Sequence, residues 1–518
     1  MKFSIGYSLF FLLIFSSIGC SNDEPEVEPI LEEQEDLIEF ISIELNPTGY
    51  APLSALLRLG TRENVNVEIT VLGQNGDASS VVKNFNENDD LFELEVLGLY
   101  ADYENTIEVR LLNNDSAVLE TRELTLQTEP LISDLPDITI DVPSDSTSPE
   151  FNFVNYYGFD EVFVPQNAFM FDQFGDIRWY FDFASHPELF ELFADNGMSR
   201  LENGNLIFGN NNSATLYEVD LLGNIINRWP LNGFDFHHHV IEKPNGNFLA
   251  TATDLSKPTT QDVVIEVSRS SGEIINIWDL NISLDNTRES WPTNLANLDI
   301  DWFHANALEY SAIDDEIIIS GRTQGVVKLN NENEISYIVG PHVGWESSGN
   351  GIELSQFLLT PLDAQGEEIT DEDVLSGNSN HPDFEWAWYQ HSTILLPNGN
   401  LMLFDNGENR NFVGTGPYSR AVEYEIDEEN KTIKQVWTYG KERGEETYAR
   451  IVSKVTFLSE NNSVLFTPGS SLNNGSAAGK VIEVDYDTKQ VNFEATIEPP
   501  QPLFIITFHN VLRMPLYN

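Results

Sequence analysis

Apolar residues run through this chain in short stretches that alternate with polar ones and stop at Asn, Asp and Gly, the pattern of half-buried strands joined by tight turns. Towards the N-terminus the alternation is regular at 65–71, 91–96, 106–112 and 121–127. After residue 133 it becomes repetitive. One recurring half is an Asn-Gly hairpin turn, favoured because its central residues take positive φ. It occurs at Asn203-Gly204, Asn245-Gly246 and Asn398-Gly399, with Asp314-Asp315 and Asn461-Asn462 as variants. The other half is a strand, an acidic or glycine turn, and a strand carrying an aromatic. Its copies start near Phe171, Glu218, Glu266, Lys328, Tyr424 and Glu483.

These patterns predict an all-β chain in two folded parts. Residues 38–132 read as a small immunoglobulin-like or fibronectin-like β-sandwich, with Ser133-Asp134-Leu135-Pro136 as the junction. No ligand motif stands out in it, so it reads as a spacer or as a module for a homodimer. Residues 133–518 carry six copies of the repeat, which predicts a six-bladed β-propeller. A sandwich of unequal hairpins is the competing arrangement, but it gives no reason for the two halves to keep one order. The longer intervals hold insertions at 279–300 and 341–390, rich in the polar and turn residues of loops that roof a functional site.

Three histidines share one phase of the repeat. His238 and His391 each stand six residues ahead of a Pro-Asn-Gly-Asn turn, at Pro244 and Pro397. His304 precedes the Asp314-Asp315 turn by a slightly longer run. Imidazoles at equivalent points of a cyclic repeat should converge on its axis, which is how a ring assembles one site from distant residues.

Charge and the N-terminus narrow the function. The formal net charge is −58, a field that repels nucleic acid and anionic membrane surfaces and requires any anion site to be locally positive. Residues 1–19 read as a lipoprotein signal peptide, with Lys2 as its basic start and an apolar core at 9–14 too short to span a bilayer. Ser17-Ile18-Gly19-Cys20 resembles a bacterial lipobox. Cys20 is the only cysteine, so no disulfide framework or thiolate metal site is available. Its place makes it the expected lipid-bearing residue, anchoring the protein to the outer membrane, facing the periplasm or the cell surface. The acidic tract at 20–37 reads as a solvated tether.

Several motifs together resemble the bacterial aryl-sulfate sulfotransferases over roughly residue 135 to the end. They are His237-His238 before its Pro-Asn-Gly-Asn turn, Asp301-Trp302-x-His304-x-Asn306, Ser320-x-Arg322 and Gln390-His391, with Phe404-Asp405-Asn406-Gly407, Tyr418-Ser419-Arg420 and Arg513-x-Pro515 downstream. The resemblance implies transfer of a sulfuryl group from an aryl sulfate donor to a phenol acceptor, with no cofactor and no metal. It also implies a histidine that is transiently sulfated, at the position of His391. Arg322 would offer a planar fork of donors to the sulfuryl oxygens, with Asn306, His237, His238 and His304 adding to it. Trp388 and Tyr389, with Trp386 beside them, are candidates for an aromatic wall against the phenol ring. Arg420 reads as an ordinary surface ion pair. Two departures from the family pattern are His239, where an aspartate is usual, and Ser459-Glu460-Asn461-Asn462 in place of the last Pro-Asn-Gly-Asn turn.

Two other functions remain open on the sequence. Three neutral imidazoles could hold a metal in a metal-dependent propeller enzyme, and a surface ligand-binding propeller would need no catalysis.

Overall fold

The computed structural model describes residues 36–159, 167–192, 196–288, 297, 299–414, 416–473, 476–500 and 505–518. The signal segment, Cys20 and nearly all of the acidic tether lie outside the described residues.

The first part is built from β1 (Ile38–Leu45), β2 (Ser54–Val71), β3 (Val81–Leu97), β4 (Glu104–Leu112) and β5 (Val118–Gln127), all antiparallel. β2 and β3 are 18 and 17 residues long, well beyond the usual strand of about five or six. Their pairing breaks between Gly60↔Leu91 and Val67↔Phe85, so both strands turn a corner there. The first half of β2 pairs with β1 and the second half with β4, as when one sheet folds over into a small sandwich. Leu57, Leu59, Val67, Ile69, Phe92, Leu94, Ile107 and Val109 fill its interior, the inward positions of the alternation in the sequence.

Six sheets follow among the described residues, antiparallel except where Thr360–Leu362 adds in parallel to Thr432–Tyr439. Their inner strands pack in succession: Phe234–Glu242 against Ala305–Ser311, then His391–Leu395, Lys454–Leu458 and Ile505–Arg513. The chain's last strand, Ile505–Arg513, pairs with Phe151–Phe159 and so closes a propeller. Asp137–Val142 adds to the outer edge of the sheet that ends in Val491–Glu498.

The repeat has a physical meaning at both of its halves. The second Asn of each hairpin turn donates to a glutamate on the next strand but one: Asn205 to Glu218 at 2.7 Å, Asn247 to Glu266 at 2.8 Å and Asn400 to Glu423 at 2.6 Å. In the sheet with the Asp314-Asp315 turn donor and acceptor change sides, and Lys328 takes the glutamate's place and donates to Asp314. The aromatic of the other half joins neighbouring sheets. Trp179, Trp229, Trp278 and Trp437 donate their indole N–H to the carbonyls of Leu221, Arg269, Asn330 and Tyr486, at 2.7–2.9 Å.

Arg178 pins the sandwich to the propeller. Fully buried, it pairs with Asp172 at 2.9 Å, donates to the carbonyls of Gly98 and Ser79, and lies 3.5 Å over the ring of Tyr100. A buried guanidinium tolerates desolvation only when its donors are met in this way.

Candidate active site

The three histidines meet at one end of neighbouring inner strands. His238 lies in an irregularity of Phe234–Glu242, where pairing breaks between Phe236 and Val240. His304 stands just before Ala305–Ser311, and His391 opens His391–Leu395. The ring of His238 is 5.1 Å from that of His304 and 6.2 Å from that of His391. His237 joins them at 4.2 Å from His238 and 4.8 Å from His304. The shared phase does not extend to the backbone. His238 and His304 take positive φ (58° and 56°), whereas in the third copy Tyr389 and Ser392 do so, on either side of His391. Non-glycine residues in this region carry strain that surrounding structure must hold.

A hydrogen-bonded line runs through four side chains. Asp301 Oδ2 is 2.8 Å from His304 Nδ1, His304 Nε2 is 3.2 Å from His238 Nε2, and His238 Nδ1 is 3.1 Å from His509 Nδ1. The donor sense follows from one end. An ionised Asp301 accepts the Nδ1 proton of His304, so His304 Nε2 is bare and accepts from His238 Nε2–H. His238 Nδ1 then accepts from His509. Asp301 also accepts from Arg322 Nη2 at 3.3 Å, and burial raises its pKa to about 6 against the pull of that guanidinium. Burial, with Arg322 and the neighbouring imidazoles, drives the pKa of His304 well below its usual value.

His391 is held in one tautomer. Its Nδ1–H donates to Asn406 Oδ1 at 2.8 Å and to the Tyr389 carbonyl at 3.0 Å, which leaves Nε2 with a free lone pair. The amide of Asn406 is itself oriented, donating to the carbonyls of Ala449 and Val452. Burial pushes the pKa of His391 down to about 3, opposed by the Asn406 bond, so the ring is neutral over any ordinary pH.

Several expectations need correction. Asn306 donates its amide N–H to the Gln390 carbonyl at 2.9 Å, while its buried Oδ1 meets no partner among the described residues. It therefore adds an open acceptor to the donor that the sequence assigned it, since Nδ2 has a second N–H. His239, in the place of the usual aspartate, accepts the Leu308 N–H at its Nδ1. Burial holds it neutral, its pKa pushed down to about 3, and His238 is oriented by His304 and His509 instead. Trp386 belongs to the packed interior, donating to the Val374 carbonyl. Arg420 is no surface pair. It is fully buried and shares Asp405 Oδ2 with Arg410, both at 2.8 Å, while Asp405 Oδ1 accepts the backbone N–H of Trp388. This network braces the strand end that carries Asn406.

Two cavities adjoin these residues. One cavity is lined by His238, His391 and His509 together with Glu309 and Lys454, where burial raises the glutamate to about 7 and lowers the lysine to about 8. The other is lined by Arg322, Trp388 and Tyr389, and the described parts of both insertions reach it. Sequence reasoning missed His509, which no turn or repeat flags, and the parts of Asp301 and Asn406, which were visible only as motif letters.

The ligand atoms of His237, His238 and His304 lie within 4.8 Å of one another, close enough to hold a divalent cation, and Asp301 behind His304 is the partner such a site commonly has. Arg322 on the same carboxylate opposes a cation there.

Comparison with known proteins agrees with this constellation. Residues 139–502 match the arylsulfotransferase (ASST) family, and residues 42–129 match the arylsulfotransferase Ig-like domain. Arylsulfate sulfotransferase AssT of Escherichia coli O6:H1 is 33% identical over 336 residues, 55% of this chain and 54% of that protein. This alignment spans about half of the relative's length. The AssT of Lelliottia amnigena is 27% identical over 552 aligned residues, 89% of this chain and 90% of that protein. Among solved structures, a protein of unknown function from Bacteroides caccae is similar at 12% identity and TM-score 0.42, covering 71% of this chain and 99% of its own. A streptogramin B lyase is similar at 11% and 0.31, covering 84% and 98%. The matched length and its two-part organisation settle the relationship: this chain belongs to the arylsulfotransferase family.

Proposed function

We propose that this chain is an aryl-sulfate sulfotransferase that moves a sulfuryl group from an aryl sulfate to a phenol in two displacements through His391. The observation that carries the reading is the neutral His391 ring with Nδ1–H spent on Asn406 and Tyr389 and Nε2 bare. Nε2 attacks sulfur, the sulfur–aryl oxygen bond breaks, and the phenolate leaves. The transition state is loose by analogy with phosphoryl transfer, so positioning and positive donors do most of the work. Arg322, fixed by Asp301, supplies donors for the equatorial oxygens. His238 turns its Nε2–H from His304 to the departing oxygen and takes the Nδ1 proton of His509, which is refilled at Nε2 from solvent. In the second half an incoming phenol, hydrogen-bonded to Asn306 Oδ1, surrenders its proton to His238 Nε2, its oxygen takes the sulfuryl group, and the His391 Nε2–sulfur bond breaks. His391 is regenerated.

A chromogenic aryl sulfate incubated with and without an added phenol tests the reading. Phenolate release that accelerates with the acceptor, in metal-free protein, supports it. Activity that chelation abolishes and a divalent cation restores favours the metal-dependent reading, which Asp301 behind His304 makes the serious rival.

We also propose that Cys20 carries a lipid and that the acidic tract tethers the enzyme to the outer membrane, on the strength of the lipobox-like Ser17-Ile18-Gly19-Cys20.

A further inference from the structure

Arg288 differs from most arginines of this chain. In a protein with 84 acidic against 26 basic residues, Arg58, Arg110, Arg178, Arg228, Arg269, Arg322, Arg410, Arg420, Arg443, Arg450 and Arg513 each sit against a carboxylate. Arg288 has no carboxylate within ion-pair distance among the described residues. It is nonetheless held firmly. Its guanidinium lies 4.1 Å over the ring of Trp345, Nε donates to the Val343 carbonyl at 3.1 Å, and Nη1 donates to Gln324 Oε1 at 2.6 Å. Asp285, the carboxylate whose charge reaches Arg288, lies beyond ion-pair distance and accepts from Thr287 instead, so the guanidinium is open to a counter-ion from outside.

Arg288 lines the same cavity as Arg322, Trp388, Tyr389 and Phe412. Trp388 and Phe412 form a perpendicular corner, their rings 4.9 Å apart. Trp388 supplies a second, independent sign of an absent ligand. It is 6% exposed, and its Nε1 is buried with no acceptor among the described residues, although a buried indole N–H usually finds one. One cavity thus holds a cation and a neutral donor, both short of a negatively charged or acceptor oxygen, beside aromatic faces and next to the arginine assigned to the sulfuryl group.

We propose that the aryl partner of this enzyme carries a second anionic group on its ring, a carboxylate or a second sulfate, received by Arg288 and Trp388 Nε1. This rests on the reading of Arg322 as the sulfuryl-binding arginine. It also accounts for how a chain of net charge −58 retains a doubly charged substrate: the second charge is met by a local cation where the overall field opposes it.

The test compares 4-carboxyphenyl sulfate with 4-carbamoylphenyl sulfate, which matches it in shape without the charge. A charge-assisted bond to a carboxylate predicts that kcat/KM favours the carboxylated donor by about 10- to 100-fold. Arg288→Gln should collapse that ratio towards one, and Trp388→Phe, which keeps the ring and removes the N–H, should lower it by a smaller factor. Equilibrium binding of both compounds, followed by calorimetry, reads the subsite without turnover. A binding preference that persists while neither compound is turned over supports the subsite and removes the proposed activity. Equal binding of the two compounds by the wild type, or an Arg288→Gln variant that weakens both alike and keeps their ratio, overturns the proposal.

Discussion

Asp301→Asn isolates the electrostatic logic of the site. The carboxylate accepts from His304 Nδ1 at 2.8 Å and from Arg322 Nη2 at 3.3 Å through the same oxygen. An amide of the same shape can still accept both bonds at that oxygen, but it carries no charge to anchor the Arg322 guanidinium. Arg322 is then held by a neutral hydrogen bond in place of an ion pair, and loosening a preorganised donor of this kind costs up to the order of 10²–10³ in rate. The same residue predicts a pH signature. Burial raises Asp301 to about 6, so it is an acceptor above that pH. Below it the protonated carboxyl donates instead, and the line to His304 and His238 reverses. The activity of the wild type, read as kcat/KM for the aryl sulfate, should therefore fall as pH drops through about 6. His391 cannot produce that limb, since it stays neutral down to about 3. In Asp301→Asn the residual activity should be flat across the same interval. The assay is initial-rate release of a poorly acidic phenol at saturating acceptor, quenched into alkali and read as the phenolate. A limb near 6 that survives in Asp301→Asn, or a wild-type profile flat through that range, would refute the reasoning.

Three further outcomes are expected. Arg178→Met strands the buried Asp172 and frees the Gly98 and Ser79 carbonyls, and should destabilise the fold by about 3–5 kcal/mol in urea; a shift within experimental error would remove Arg178 as the pin between sandwich and propeller. His509→Phe breaks the line at its outer end and should slow donors with poorly acidic phenols by about 10²-fold, while nitrophenyl sulfate, whose leaving group needs little protonation, suffers far less. Equal losses for both donors would mean that His509 acts through packing alone. Metabolic labelling with a fatty acid should tag the intact protein and not Cys20→Ser, and a mature N-terminus elsewhere than Cys20 would contradict the anchor.

Much of the fold was legible because the repeat is enforced by local bonds. Asn-Gly-Asn turns recur because the second Asn meets Glu218, Glu266 or Glu423, and tryptophans recur because each ties its sheet to the next. The Lys328–Asp314 exchange preserves the first of these contacts with donor and acceptor swapped, which is why that copy looked irregular. The convergence of His238, His304 and His391 follows from the same periodicity. What periodicity could not give is contact between residues that share no repeat position. His509 enters from the closing strand, Asn406 reaches His391 across a hairpin, and Arg420 is buried by segments far from its own turn. The acceptor character of Asn306 was hidden for the same reason, since it depends on where Gln390 places its carbonyl.

The central claim is a covalent sulfuryl group on His391. Wild-type protein given an aryl sulfate and no acceptor, kept at neutral to alkaline pH, should gain the mass of one sulfuryl group by intact-mass spectrometry. Added phenol should discharge it, and peptide mapping should place it on His391. His391→Ala should show neither the adduct nor a first turnover. An adduct that persists in His391→Ala, or phenol transfer by the wild type with no adduct at any time before acceptor is added, would contradict the account.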